Sequence, residues 1–156
     1  GINIHQTKNP KEPGLIENNH IANVAEGIDL FGHNIVVRNN KIEATQLGIK
    51  LIHGARHVHI VGNTFSGLPS IGAIAAYSSR DDVDRQVQDV WIVENDFDLL
   101  QTSVPAVLVD RDPKFTPQRL SIIGNRFSVP QCPQIAVPSL YAAREAFHRN
   151  RTAFGL

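Results

Sequence analysis

The chain has 156 residues, with 15 Lys and Arg against 15 Asp and Glu and a formal net charge of zero. Its charges are scattered rather than blocked, so it carries no electrostatic footprint for nucleic acid and no pattern for membrane insertion. A single cysteine, Cys132, excludes an internal disulfide and has no metal-motif spacing around it, and the length suffices for one modest domain.

In chain order, the first element is Gly1-Ile2-Asn3-Ile4, an alternating phrase that reads as a strand. A loop over Gln6 to Pro13 follows, and then IENNHI from Ile16 to Ile21. Eight residues after Asn19 comes Gly27-Ile28-Asp29-Leu30, which repeats the opening strand. VRNNKI spans Val37 to Ile42, and eight residues after Asn40 comes Gly48-Ile49-Lys50-Leu51. IVGNTF from Ile60 to Phe65 precedes Ala73-Ile74-Ala75-Ala76. IVENDF from Ile92 to Phe97 precedes Ala106-Val107-Leu108-Val109, and IIGNRF closes the series at Phe127.

Each short phrase has an apolar residue three before a fixed Asn and an Ile or Phe two after it. The Asn residues are Asn19, Asn40, Asn63, Asn95 and Asn125, with steps of 21, 23, 32 and 30. A period just over twenty with variable insertions is the mark of a solenoid. Alternation within each unit predicts three strands per coil: one before the Asn turn, a short one after it, and a third after a second turn. Coils this short cannot bury a face alone, so neighbours must stack.

This pattern resembles the right-handed parallel β-helix of the pectate-lyase-like superfamily, over roughly Gly1 to Phe127. The resemblance implies an all-β solenoid, a ladder of stacked Asn amides at one turn, and coils over residues 1–129. Gly1 to Ile4 matches the third strand of a coil, so the chain begins in mid-coil. We expect further polypeptide, upstream or from a second chain, over the Ile2 and Ile4 end, and a homo-oligomer would cover it equally well. After the prolines at 130, 133 and 138, residues to 156 read as a helical cap or flank carrying Leu140, Tyr141, Phe147 and Phe154. That segment would cover an apolar outer patch of Val61, Trp91, Val93 and Ile123. Asn150-Arg151-Thr152 is a glycosylation sequon by pattern.

The third strand carries the candidate chemistry. Its outward positions stack as Asn3, Asp29, Lys50, Ala75 and Leu108. Its ends stack as His5, Phe31, Ile52, Tyr77 and Asp110, followed by residues that include His53 and Arg111. Long charged insertions, Ser79 to Gln88 and Arg111 to Gln118, leave at this edge. In carbohydrate-active proteins of similar fold the cleft runs along this sheet, which implies a polysaccharide partner here. Asp29 and Lys50 fall on adjacent coils, ~4.8 Å apart. Such a lysine with a lowered pKa could abstract the C5 proton of a uronate, as a lyase or epimerase base. His53, Tyr77, Asp110 and Arg111 would then bind substrate: Tyr77 stacks on a sugar ring, and Arg111 pairs with a carboxylate.

A hydrolase fits less well. No second carboxylate stacks beside Asp29, and Asp110 is three coils away, about 14 Å at the strand spacing, beyond the ~6.5–9.5 Å of an inverting pair. The residue sets of similar alginate epimerases and polygalacturonases are absent, so no catalytic residue is carried over from them. No cofactor is implied. Asp81-Asp82-Val83-Asp84 could hold calcium through oxygens, and the histidines at 53, 57 and 59 lack metal spacing. The expectation is a secreted, extracellular or periplasmic polysaccharide lyase or C5-epimerase. Its alternative is a non-catalytic, glycan-binding or oligomerising segment of a tailspike, adhesin or surface protein, which Ala75 and Leu108 at the Asp29 position favour.

Overall fold

The computed structural model describes residues 1–4, 12–67, 69–76, 86–100, 104–110 and 116–128, and the paired backbone at 135–136, 147–148 and 151–152. These residues form a parallel β-solenoid. The strands before the Asn turn are β2 (Gly14–Glu17), β4 (His33–Arg38), β6 (Arg56–Val61), β9 (Gln88–Val93) and β12 (Gln118–Ile123). They form one sheet in chain order, every pair parallel. The third strands are β1 (Ile2–Ile4), β3 (His20–Leu30), β5 (Lys41–Leu51), β8 (Gly72–Ala76), β11 (Val107–Val109) and β14 (Ile135–Ala136). They too run parallel and in chain order, as the repeated phrase predicts. The short strands after the Asn are β7 (Thr64–Gly67), β10 (Asp96–Leu99) and β13 (Arg126–Phe127), stacked on the start of β5.

The lowest full coils depart from the three-strand expectation. In β3 and β5 the second and third strands are one continuous 11-residue strand. Register shifts between Ala22 and Val24 and between Val24 and Glu26 make the bend, as β-bulges do. Asn23, with φ 58°, supplies the left-handed residue there. Higher coils insert residues at this corner and so break the strand in two.

Inward residues stack on their own kind. Ile35, Val58, Val90 and Leu120 are fully buried, as are Val37, Ile60 and Ile92, and Ile28, Ile49 and Ile74 on the third strand. Phe65, Phe97 and Phe127 stack nearly parallel, with ring centroids 5.0 and 4.9 Å apart. Ile42 and then Ile21 continue that column downward in register.

The Asn turn closes its hydrogen bonds between coils. Asn63 is fully buried. Its Oδ1 accepts from the backbone N–H and the Nδ2 of Asn40, both at 2.9 Å. Its Nδ2 donates to the Val37 carbonyl at 2.9 Å and to Asn95 Oδ1 at 3.0 Å. Asn95 repeats this upon Asn125 and the Ile60 carbonyl, and Asn19 donates up to Asn40. One Asn per coil therefore satisfies backbone groups that the turn strips of strand partners. The residue before each ladder Asn (Asn18, Asn39, Gly62, Glu94, Gly124) has φ between 54° and 67°. At Gly48 the chain passes so close to the next coil that a Cβ would lie 2.4 Å from the Ala73 carbonyl oxygen.

Of the expected C-terminal helical segment, residues 130–134, 137–146, 149–150 and 153–156 lie outside the described residues, and the described remainder departs from the expectation. No helix occurs among the described residues. Residues 147–148 form β15 (Phe147–His148), parallel to β12, with Phe147 opposite Ile122. Residues 151–152 form β16 (Arg151–Thr152), parallel to β13, with Arg151 opposite Arg126. The described tail adds strands to the end of the stack rather than a helix to its flank. The sequence shows the reason: Phe147-His148-Arg149-Asn150-Arg151-Thr152 keeps the spacing of the repeat, an apolar residue three before an Asn.

Candidate functional site

The outward column of the third strands holds the charged residues that the sequence singles out. Asp29 and Lys50 are register partners on β3 and β5, and Lys50 Nζ lies 3.3 Å from Asp29 Oδ2. A third group joins them: Glu26 Oε2 accepts from Lys50 Nζ at 2.7 Å. The side chains of Lys50 and Asp29 are only 15 % and 17 % exposed, and that of Glu26 is 37 % exposed. Asp29 Oδ1 is buried and has no hydrogen-bond partner among the described residues.

These contacts set the charge state of Lys50. Burial pulls its pKa down, but the Glu26 hydrogen bond and the charges of Asp29 and Glu26 outweigh that and raise it above the ordinary 10.5. An ammonium held between two carboxylates keeps its proton, which is the reverse of what a general base requires. Glu26 also corrects the expectation that Asp29 has no neighbouring carboxylate. Simple alternation from Ile28 hides it, because Gly27 and the bulge after Val24 change which residues turn outward.

His53 follows β5 in a left-handed conformation, φ 52°. Its ring stacks on Phe31 at a centroid distance of 5.2 Å, and Phe31 is held at the end of β3 by its N–H to the Ile4 carbonyl, 3.0 Å. Asp110 follows β11, two coils above Lys50. Its N–H donates to the Ala76 carbonyl at 3.2 Å, and its own carbonyl accepts from Thr116 Oγ1 at 3.1 Å. Tyr77, Arg111 and the Asp81–Asp84 loop lie outside the described residues.

Exposure along the outward column is uneven. Asn3 is exposed, Asp29 and Lys50 are half-buried, Ala75 is fully buried and Leu108 is half-buried. The column is thus covered at Ala75, and the charged cluster lies directly below that point.

The other outer face, on the β2–β12 sheet, carries aromatic and aliphatic groups. His59 and Trp91 stack at 4.4 Å with an 11° angle between rings. Val61, Val93 and Ile123 are half-buried beside them. At the start of its upper strands Arg119 forms a two-point ion pair with Asp89, 2.5 and 2.7 Å, and that guanidinium holds the Asp89 carboxyl below its ordinary 3.8. No group of three His, Cys, Asp or Glu side chains among the described residues is placed to hold a metal ion.

The stack of parallel coils, its Asn turn and its charged outer column define a right-handed parallel β-helix protein of the polysaccharide-related or structural kind. Residues 1–97 match the family described as a right handed beta helix region, and the chain belongs to that family. No curated protein and no solved structure matches it.

Proposed function

We propose that this chain is part of an exported, polysaccharide-directed β-helix protein that binds glycan on the lower third-strand face without cleaving it. The observation that carries the reading is Lys50, held as an ammonium between Glu26 and Asp29 on an otherwise repetitive surface. Charged groups on a solenoid face need not pair across coils for the fold to form, and a largely buried ion pair loses to desolvation much of what its attraction gains. Three charged side chains sharing one half-buried point are a better arrangement for hydrogen bonding to a sugar than for stability. The lyase or C5-epimerase reading asks Lys50 to give up a proton that both neighbours help it to keep. The covering of the column at Ala75 favours a short glycan segment over a long threaded chain.

The test pairs a glycan array with an absorbance assay for unsaturated uronate products. The expected result is retention on a glycan, weakened at least about tenfold by Lys50→Ala, the scale of a lost charge-assisted hydrogen bond, with no product from wild type. Product that disappears in Lys50→Ala would restore the eliminase reading. Silence in both assays would leave an oligomerising or structural β-helix.

A further inference from the structure

The make-up of the cluster narrows the sugar class. Two carboxylates face one ammonium, so the point where a ligand would arrive carries an excess of negative charge. Lysine has three donors, and Glu26 and Asp29 take two of them. Asp29 turns Oδ2 to Lys50, while its Oδ1 is buried, out of a ligand's reach. Glu26, with 37 % of its side chain exposed, spends one oxygen on Lys50 and has a second acceptor oxygen. The cluster thus offers one donor and one acceptor from adjacent coils. Two neighbouring hydroxyls of a sugar ring satisfy such a pair, because a hydroxyl both gives and accepts. A uronate carboxylate has no proton for Glu26 and brings a third negative charge to the same place.

We propose that the Glu26–Asp29–Lys50 cluster takes a neutral sugar through a pair of adjacent hydroxyls, in preference to a uronate. The proposal rests on the glycan-binding reading above and specifies its ligand, replacing the acidic substrate that a lyase would use.

The experiment measures retention of the folded chain on matched polymers: polygalacturonate and alginate, each beside its carboxyl-reduced neutral counterpart, with a neutral glucan and a galactomannan. At low salt we expect wild type to prefer the neutral member of each pair by roughly tenfold, the scale of one charge interaction close to a protein surface. Asp29→Asn keeps the size and one acceptor but removes a charge, so it should narrow that gap. Glu26→Gln, at the more exposed position, is a second variant with the same expected direction, and a thermal melt confirms that each is folded. Equal or stronger retention of wild type on the uronate polymers overturns the proposal while leaving the glycan-binding reading in place. A gap that neither folded variant narrows overturns it as well. Retention on none of the polymers removes the glycan-binding reading, and this inference falls with it.

Discussion

The Asn corner and the third-strand outer face climb the same coils, yet they use sequence in opposite ways. At the corner one residue recurs, Asn19, Asn40, Asn63, Asn95 and Asn125, and each amide is satisfied by the identical amide on the neighbouring coil. On the outer face every coil differs: Asn3, Asp29, Lys50, Ala75 and Leu108 share one register column. A buried polar group must find a partner of fixed geometry, and in a stack the neighbour's copy is the partner always at hand. A residue facing outward has no such obligation. In this molecule repetition marks what holds the coils together, and departure from repetition marks where chemistry can be placed.

The largest effect should come from breaking the corner. Asn63→Ala removes the acceptor for the Asn40 backbone N–H and the donor to the Val37 carbonyl, both buried. We expect a loss of ~1–3 kcal/mol. Asp96→Ala, which deletes the ion pair to the exposed Arg126 on the neighbouring coil, should leave stability nearly unchanged. Urea unfolding of both variants measures the contrast directly. Equal losses would mean that the corner has no special standing and that solvent can replace the ladder.

That contrast also explains how much could be read from sequence alone. The Asn turn, the parallel third-strand sheet and the core columns all follow from strict spacing, and each has the register that the spacing implies. Glu26 was hidden because it lies beside a bulge, where alternation ceases to tell inside from outside. The stack of His53 on Phe31 was hidden because it depends on a left-handed residue after a strand, for which no repeated signal exists. The tail departs from its expectation only at the described pairs, and for a different reason. The run Tyr141-Ala142-Ala143-Arg144-Glu145-Ala146 after the prolines favours a helix by local preference, and that preference masks the spacing around Asn150. Strand pairing at 147–148 and 151–152 shows the spacing prevailing there.

A smaller effect tests an imperfection within the corner. The residue before each ladder Asn is left-handed, and the five coils place Asn, Asn, Gly, Glu and Gly there. Asn and Gly enter that region readily, whereas a glutamate pays in contacts between its Cβ and the following carbonyl. Glu94→Gly should therefore raise stability by about 1 kcal/mol. Gly62→Ala should lower it by a similar amount, since its new Cβ would also sit 3.0 Å from Asn39 Oδ1. Denaturation midpoints moving in the same direction for both variants would show that conformation at this position does not govern the turn.

The smallest effect belongs to the outer face of the β2–β12 sheet, where two unlike rings occupy one column. His59 lies against Trp91, the single tryptophan of the chain, so fluorescence reads this contact without interference. Burial, and then the charge of His57, hold the His59 pKa below its ordinary 6.5. The folded state thus favours neutral imidazole while the unfolded state binds its proton more readily. The stability this group contributes is fully present above pH 6.5 and is lost as pH falls through that value toward the folded pKa. His33, lowered first by burial and then by Arg56 and His57, acts on the same limb. As His59 gains its proton, the imidazolium should quench the indole, with a midpoint below 6.5 that vanishes in His59→Gln. The same substitution should flatten the fall in melting temperature on the acid side. A quenching midpoint above 6.5 would reverse the account, because attraction between the indole face and the cation would then exceed the cost of burying the charge.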